Sequence, residues 1–442
     1  MRAAAADAAL YRDLFNDAET AALFTETAEI RAMLLVEGTL ARVQGQLGLI
    51  PADAAAFIDR ASREVLVDPA ALAPETARNG VPVPALLAAF RKETQAPELT
   101  RWLHWGATSQ DILDTALALR LRRVLDLWER RLAALIQALG ALALTHADLP
   151  MAGRTYGQAA TPSSFGALVA SWGRPLLGWH GKIADLRPDL LVVSLSGAAG
   201  TLSAMGDQGP AVRAGLAQAL GLADPGHSWH AERAGMAAFA GWMAGLAAAL
   251  GKLGEDLILL AQTGIAEVRI ADAGGSSTMP QKQNPVGASA LVALARQVIA
   301  LSSLMTGAGL HRQQRDGAAW FTEWLTLPQL CVSTGRALAL ADDQARRLTP
   351  DAAAMARGLA QDGGTILAEA LTFALSDRMP RTEAEAAVRT LCGEAMASGT
   401  DLRQLAARVW PGIDWDARLH QGMMGQAPAE ARAFAARARL DG

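Results

Sequence analysis

Three long stretches of this 442-residue chain lack proline, and the alternating Val, Ile and Thr pattern of strands is almost absent. The stretches cover residues 112–148, 231–279 and 286–326. Apolar residues recur within them at spacings of three and four, which is the period of an α-helix. Helices of about thirty residues or more, roughly 45 Å long, therefore fit in the middle of the chain. Such lengths predict an all-α fold organised around a bundle of long helices.

Breaks rich in proline and glycine divide the chain into three predicted helical domains. Shorter helices occupy residues 1–107, which the segment ETARNGVPVP interrupts. Residues 108–346 carry the long helices and form the predicted central domain. Residues 347–442 contain further Gly and Pro breaks and form a small C-terminal domain. Broad faces of Ala, Gly and Leu on the long helices predict burial against other subunits as well.

Composition and charge exclude several classes of protein. Hydrophobic residues make up 51% of the chain and charged residues 19%, which suits a large core and is too apolar for disorder. The 40 basic and 44 acidic residues give a net charge of −4, so we expect no nucleic-acid partner. Cys331 and Cys392 predict neither a disulfide framework nor a metal site. Asp7 precedes any apolar run at the amino terminus, so we expect no secretory signal and a cytoplasmic protein.

One stretch has the composition of a membrane helix. Residues 234–251 carry no charge and include a GxxxG pair at Gly241 and Gly245. Alanine and glycine dominate this stretch, however, and the charged sequence KLGEDLILLAQ continues from its end without a break. A helix that is apolar on every side is also what the centre of a large helical bundle requires. We therefore predict a buried bundle helix here and no membrane partner.

Polar residues gather in three loops, and a long helical pattern follows each of them. The first loop is HWGATSQDILDT, in which Thr108 and Asp111 have the spacing of a helix capping box. The loop also offers several hydrogen-bond donors to an anion, namely His104, Thr108, Ser109 and Gln110. Taken alone, this loop supports a simple helix start and an anion site equally well.

The second loop is MAGRTYGQAATPSSFG. Thr161 followed by Pro162 predicts the N-cap and the first residue of a helix. Arg154, Thr155 and Gln158 lie in the turn before that helix. Taken alone, this loop is explained more simply as a polar connection between helices.

The third loop is AGGSSTMPQKQNPVGA. Asn284 and Pro285 predict the N-cap and the first residue of a helix that runs to about Leu304. The Gly- and Ser-rich part before them is expected to be mobile and is followed by Lys282, one of only four lysines in the chain. A flexible linker explains this loop poorly, because a linker needs neither the buriable Met279 nor a lone lysine.

Together the three loops predict one site for a small polyanion. Helix N-termini present free N–H groups and a partial positive charge, and each of these is preceded by polar or cationic side chains. His227 and His230 in GHSWHAER lack a third metal ligand, and no GxGxxG or GxxxxGK[ST] phosphate loop occurs. The residues therefore predict a reaction without cofactor or metal on a carboxylate-rich substrate.

The third loop also carries a specific match to a known family. GSSTMPQKQNP resembles G-S-S-x-M-P-x-K-x-N, the signature of the fumarase/aspartase superfamily of homotetrameric lyases. The other two loops resemble that superfamily's other signature regions in the same order. The resemblance implies a fumarase/aspartase-like fold, in which long helices from four subunits form a central bundle. It also implies that loops of different chains build each active site.

Enzymes of this superfamily add or eliminate a group β to a carboxylate. The resemblance implies that Ser276 is the base for the proton α to that carboxylate, and that Lys282 neutralises the dianion formed. A serine needs dry, cationic surroundings to act as a base, which closure of its loop would supply. The implied substrate-binding residues are His104, Thr108, Ser109, Gln110, Arg154, Thr155, Gln158, Ser277, Met279 and Asn284.

Some positions depart from the fumarases, argininosuccinate lyases and adenylosuccinate lyases. Tyr156 stands where those enzymes have a histidine, and Ser289 stands where they have the glutamate that pairs with it. The bacterial 3-carboxy-cis,cis-muconate cycloisomerases lack the same pair, and the chain resembles that branch. Trp324 replaces an arginine that binds the nucleotide phosphate in adenylosuccinate lyases. Gln281 and Ala159 stand where the muconate branch usually has histidine.

This branch implies a reversible lactonisation in the breakdown of aromatic compounds through protocatechuate. One carboxylate of the tricarboxylate 3-carboxy-cis,cis-muconate adds across a double bond, and a proton enters α to another carboxylate. Two alternatives stay open. One is a lyase of the same superfamily that releases fumarate from adenylosuccinate or a similar substrate. The other is a structural tetramer without activity, which leaves the intact GSS loop unexplained.

Overall fold

The structure is a computed structural model that describes residues 6, 8–271, 274–275, 278–279 and 282–439. Across these residues it contains nineteen α-helices and four short strands. The helices are α1 Arg12–Phe15, α2 Ala18–Ala22, α3 Glu26–Gln46, α4 Ala52–Glu64, α5 Pro69–Asn79, α6 Val83–Thr94, α7 Pro97–Thr100, α8 Ser109–Thr145, α9 Phe165–Leu190, α10 Gly209–Leu220, α11 Ala234–Ala261, α12 Val286–Gly307, α13 Gly317–Arg347, α14 Ala352–Gly364, α15 Ala368–Ser376, α16 Arg381–Ser398, α17 Leu402–Val409, α18 Trp415–His420 and α19 Ala427–Arg437. The strands are β1 Pro150–Thr155, β2 Gln158–Ser164, β3 Val268–Ile270 and β4 Leu348–Pro350.

The long helices confirm the prediction of an all-α fold. Helix α8 has 37 residues and α13 has 31, whereas α11 has 28. The proline-free stretch 286–326 divides into two helices, because α12 ends at Gly307 and α13 begins at Gly317. Helix α13 also tolerates Pro328, a residue that removes one backbone hydrogen bond from a helix interior. The predicted domains 1–107, 108–346 and 347–442 stay a prediction.

The described residues form two compact units. The first lies within Met1–Arg130, Trp179–Ala248 and Ala293–Ala337. Its core gathers buried apolar side chains from α3, α6, α8 and α10, including Leu40, Phe90, Ile112 and Leu216. In the same unit, the rings of Trp128 and Trp242 stack with their centroids 6.1 Å apart.

The second unit lies within Arg131–Gly178, Ala249–Val292 and Leu338–Gly442. The C-terminal helices bury their own apolar cluster there, with Leu375, Leu402 and Trp415 among its members. Strands β3 and β4 pair antiparallel, with Arg269 opposite Thr349. This pairing joins the chain just before the third loop to the end of α13.

The prediction of a helix start at Thr161 and Pro162 is wrong, because both residues lie in strand β2. Strands β1 and β2 pair antiparallel, with Ala152 opposite Pro162, and two residues connect them. Tyr156 and Gly157 adopt φ values of 52° and 76°, the left-handed pair that a two-residue hairpin turn of type I′ requires. Proline is acceptable in β2 because a two-stranded hairpin leaves one edge of each strand unpaired.

Helix α9 begins only after this hairpin. The Ser164 hydroxyl oxygen accepts the backbone N–H of Ala167 at 3.0 Å, so Ser164 fills the capping role that the sequence assigned to Thr161. Helix α12 likewise begins at Val286, one residue later than predicted. The backbone carbonyl of Pro285 accepts the N–H of Ser289 at 2.9 Å, so Pro285 and not Asn284 takes the N-cap position.

Two helices, α11 and α12, are long and apolar enough to cross a membrane by length and composition. Within the chain, 50% of the most apolar window of α11 and 44% of that of α12 are buried. A helix over residues 234–251 is therefore confirmed, and half of its window is covered by the chain itself. Burial of the remainder against other subunits stays a prediction.

Candidate active site

The predicted site residues fall into two groups, one in each unit. In the first unit they lie on the first loop and the start of α8, and they are His104, Thr108, Ser109 and Gln110. In the second unit they lie on the β1–β2 hairpin and the third loop, and they are Arg154, Thr155, Gln158, Met279, Lys282 and Asn284. The predicted base Ser276, together with Ser277 and Gln281, lies outside the described residues.

Asp111 is the centre of a buried hydrogen-bond network in the first unit. Its Oδ2 accepts the backbone N–H groups of Thr108 and Gly197, each at 3.0 Å. Its Oδ1 accepts the backbone N–H of Ser196 at 2.9 Å and lies 2.8 Å from Nε2 of His230. The predicted capping box is thus confirmed on the Asp111 side. The same carboxylate also ties the loop at residues 196–197 to the start of α8.

Gln110 is fully buried and its side-chain amide is engaged within the protein. Its Nε2 donates to Asp114 at 3.1 Å and to the backbone carbonyl of His230 at 3.0 Å. Its Oε1 accepts Nε of Arg315 at 2.8 Å. Gln110 therefore joins three segments of the first unit, and its contact with a substrate stays a prediction.

Arg233 lies between two buried carboxylates. Its guanidinium donates to Asp114 at 2.8 Å and to Glu323 at 3.0 Å. Burial would lower the pKa of Arg233, but the two carboxylates outweigh burial and raise it. Burial in turn raises the pKa of Glu323, which Arg233 partly offsets. This ion cluster fixes the second turn of α8, which follows the first loop along the chain.

His104 and Glu37 form a close pair in the same unit. Oε1 of Glu37 lies 2.6 Å from Nδ1 of His104, and only 1% of Glu37 is exposed. Burial lowers the pKa of His104, but the charge and hydrogen bond of Glu37 outweigh that effect and raise the pKa above its ordinary value. Glu37 therefore favours the protonated imidazole.

The backbone of the first loop is held in a strained conformation around this pair. His104 has a φ of 66°, a left-handed value that costs a non-glycine residue roughly 1–2 kcal/mol. Gly106 follows with a φ of 72°. Nε2 of Gln44 donates to the backbone carbonyl of Trp105 at 2.7 Å. Glu37 and Gln44 are seven residues apart on α3, so one helix face holds the loop at two points.

Arg154, in the second unit, is paired with a buried carboxylate. Its Nη1 and Nη2 donate to the two oxygens of Glu267, each at 2.8 Å. Glu267 is 1% exposed, and its hydrogen bonds raise the pKa of Arg154. Thr155 and Gln158 are exposed at the hairpin tip. The two-point pair thus anchors β1, and a contact of Arg154 with substrate stays a prediction.

The third loop is closed at its base by a pair of backbone hydrogen bonds. Gly274 and Asn284 bond to each other at 3.0 Å and 2.7 Å. Within the loop, the backbone N–H of Lys282 donates to the carbonyl of Met279 at 3.0 Å. Met279 and Lys282 are exposed, and Asn284 is half-buried. The ends of the loop are therefore fixed at the start of α12.

Several residues of these networks escaped the sequence analysis. Glu37 carries no motif and belongs to an ordinary amphipathic helix. The sequence predicts only a capping role for Asp111, and it gives His230 no role beyond a weak metal-ligand candidate in the stretch SWHAER, which resembles the muconate branch. Arg315 carries no sequence signal for a role in the site. A buried carboxylate or histidine has no signature in the chain, since its partners lie far away in sequence.

Metal ligation gains no support within the part of the chain that the structure describes. No group of three or more His, Cys, Asp or Glu residues there could hold a metal ion. Nε2 of His230 faces the Asp111 carboxylate, and Nε2 of His227 lies 3.3 Å from Glu232. The two histidines are thus directed at different carboxylates.

Comparisons with known proteins agree with this architecture. A lyase family profile matches residues 5–300. The 3-carboxy-cis,cis-muconate cycloisomerase of Pseudomonas aeruginosa is 40% identical over 399 residues, which cover 89% of this chain and 87% of that protein. The solved 3-carboxy-cis,cis-muconate lactonizing enzyme of Pseudomonas putida superposes with a TM-score of 0.91 at 35% identity, covering 97% of this chain and 99% of that one.

A solved fumarate lyase from Mesorhizobium superposes almost as well. Its TM-score is 0.89 at 32% identity, and the match covers 96% of this chain and 98% of that chain. The high coverage of both proteins confirms the fumarase/aspartase-like fold that the three loops implied. The chain therefore belongs to the lyase family of the fumarase/aspartase superfamily.

Proposed function

We propose that this protein catalyses the reversible cycloisomerisation of 3-carboxy-cis,cis-muconate to a carboxymuconolactone, without a cofactor. The single observation that carries the proposal is the similarity to muconate cycloisomerases over nearly the whole chain. The paired absence of a histidine at Tyr156 and a glutamate at Ser289 supports it. The reaction belongs to the breakdown of aromatic compounds, and we assign it to the cytoplasm.

The proposed chemistry needs a base, a counter-charge and a fixed pose. Ser276 exchanges the proton α to one substrate carboxylate, and the Lys282 ammonium neutralises the dianion that forms when this proton leaves. In the lactone-forming direction, a second carboxylate attacks the double bond and the α-carbon gains the proton. Holding the attacking oxygen close to the acceptor carbon accelerates this internal addition.

Three substrate carboxylates require several cationic and hydrogen-bonding groups. The first loop supplies His104, whose protonated form Glu37 favours, and the N-terminus of α8, whose partial positive charge favours an anion. We propose that a homotetramer brings the first loop, the hairpin and the third loop of different subunits around one substrate. The remaining predicted ligands in this site are Thr108, Ser109, Gln110, Arg154, Thr155, Gln158, Ser277, Met279 and Asn284.

A second candidate is a lyase that releases fumarate, which the likeness to the Mesorhizobium fumarate lyase favours. Both activities use the same base and counter-charge. They differ because the lyase splits its substrate and releases fumarate, whereas the cycloisomerase releases no fragment. Trp324 in place of the phosphate-binding arginine argues against adenylosuccinate as that substrate. A structural tetramer without activity stays the third alternative.

A substrate panel followed by ultraviolet spectroscopy tests the proposal. The panel contains 3-carboxymuconate, 3-sulfomuconate, muconate and adenylosuccinate, each with wild-type protein and with Ser276→Ala. We expect loss of the muconate absorbance with 3-carboxymuconate, no released fragment, and no loss with the variant. Fumarate release from adenylosuccinate without turnover of muconates would favour the lyase. Equal turnover of the 3-sulfo compound would redefine the substrate.

A further inference from the structure

We propose that Glu37 is a positioning residue, which holds His104 as a cationic hydrogen-bond donor aimed at a substrate carboxylate. The inference deepens the proposed function and rests on it for the identity of the ligand. The pair found in fumarases is absent here, since Tyr156 and Ser289 occupy its positions. Glu37 on α3 and His104 on the first loop form a different histidine–glutamate pair.

The geometry of the pair leaves one imidazole nitrogen for a ligand. Nδ1 of His104 faces Oε1 of Glu37 at 2.6 Å, a distance typical of a charge-assisted hydrogen bond. The structure shows no described residue bonded to Nε2 of His104, and 17% of the side chain remains exposed. An imidazolium bonded at Nδ1 therefore has its second N–H free to donate.

The strain of the loop indicates that this orientation is maintained by its surroundings. A left-handed backbone at His104 persists only where neighbouring contacts enforce it, and Glu37 and Gln44 supply such contacts from one face of α3. Oε2 of Glu37 is buried without a hydrogen-bond partner among the described residues. Burying a carboxylate with one oxygen unpaired costs folding free energy unless a cation lies beside it. The protonated His104 is the cation that lies beside Glu37.

The charged groups around His104 come from three helices. Glu37 on α3 and Asp111 on α8 favour the imidazolium, whereas Arg91 on α6 and burial disfavour it. Glu37 is the direct partner at hydrogen-bond distance. Removing its charge leaves burial and Arg91 unopposed except by Asp111, so His104 would lose its proton at a lower pH.

The test measures binding of the inert tricarboxylate propane-1,2,3-tricarboxylate by calorimetry, so that no turnover is needed. The variants are Glu37→Gln, which keeps the shape and removes the charge, and His104→Asn, which tolerates a left-handed backbone. Each should bind about tenfold more weakly at pH 7, the size expected for one charge-assisted hydrogen bond. Glu29→Gln on the same helix is the matched control and should bind as the wild type does.

Two further readouts separate positioning from a purely structural role. In the His104→Asn background, Glu37→Gln should cause no additional loss of binding, because Glu37 acts through His104. The pH above which wild-type binding declines should move to lower pH in Glu37→Gln. The inference would be overturned if the losses of binding from the two single substitutions added up in the double variant. It would also be overturned if the pH dependence of binding did not shift in Glu37→Gln.

Failure of this inference and failure of the proposed function are distinguishable. Turnover of 3-carboxymuconate with unchanged binding in Glu37→Gln would remove Glu37 from the site and leave the activity intact. Absence of turnover with the coupled loss of binding would retain the pair and reject the muconate substrate. Thermal unfolding of each variant identifies any that fails to fold. Glu37→Asp, which keeps the charge but is too short for the hydrogen bond to Nδ1, then replaces Glu37→Gln and should shift the pH dependence in the same direction by a smaller amount.

Discussion

Nε2 of His230 lies 2.8 Å from the Asp111 carboxylate, although the residues are 119 positions apart in the chain. The same Asp111 carboxylate also accepts three backbone N–H groups, so His230 is its fourth partner among these contacts. Both residues are buried, so the contact is shielded from water. The start of α8, where the predicted anion site lies, is therefore held by interactions that act over long sequence distances.

Replacing Asp111 should destabilise the protein strongly. In Asp111→Asn, an amide N–H replaces one acceptor oxygen and faces backbone donors that are then left unpaired. We expect the free energy of unfolding to fall by about 3 kcal/mol, as when a buried pair loses one partner. Urea unfolding measures it, with Asp126→Asn on the same helix as control. Asp126 is half-exposed, and its loss should cost less than about 1 kcal/mol. Similar effects of both substitutions would contradict the prediction.

Removing the hydroxyl of Ser276 should abolish turnover without affecting the fold. We expect Ser276→Ala to lower kcat by at least about a thousandfold, since no other group at that position can carry the proton. Sedimentation and thermal unfolding should match the wild type. Ser303→Ala, at an exposed serine further along α12, is the control. Near-normal activity of Ser276→Ala would show that another group is the base.

Removing the charge of Lys282 should weaken both binding and catalysis. Lys282→Met keeps the length of the side chain and loses the ammonium that the dianion requires. We expect KM to rise and kcat to fall together, which steady-state kinetics on 3-carboxymuconate measures. Lys92→Met, at an exposed position of α6, should leave both constants unchanged. If Lys282→Met gave the same kinetics as Lys92→Met, Lys282 would not belong to the site.

The pair of Arg154 and Glu267 allows structural and binding roles to be separated. Arg154→Met leaves the buried Glu267 carboxylate without its partner and should cost about 3 kcal/mol of unfolding free energy. The double variant Arg154→Met/Glu267→Met removes both charges and should recover most of that loss. If Arg154 also binds substrate, activity stays low in the stable double variant. Activity that recovers together with stability would assign Arg154 a structural role alone.

Much of the fold could be predicted from local patterns. Proline-free runs with a three- and four-residue period indicated the long helices, and α8 lies within a few residues of the run 112–148. The run 231–279 extends well past α11, which ends at Ala261. The run 286–326 divides into α12 and α13, and α13 continues through Pro328 to Arg347. The signature at the third loop indicated the superfamily, which the profile match confirms. Both depend on residues that are close together in the chain, where short-range geometry determines the pattern.

The hairpin at residues 150–164 shows where such patterns fail. Thr161-Pro162 is compatible with a helix start and with a strand, and the choice depends on pairing with β1 across a tight turn. Neither the spacing of apolar residues in the segment nor its composition indicates that pairing. The glycine at Gly157 was the available sequence signal for the turn, although a tyrosine before it, at Tyr156, is unusual in such a turn.

The sequence by itself determined the helical class, the superfamily and the short segments that carry polar chemistry, because each of these depends on neighbouring residues. Only the tertiary structure decided which buried groups meet those segments: Glu37 at His104, His230 at Asp111 and Glu267 at Arg154. The physical reason is that a buried charge is stable only beside a matching partner, and the fold brings that partner from anywhere in the chain.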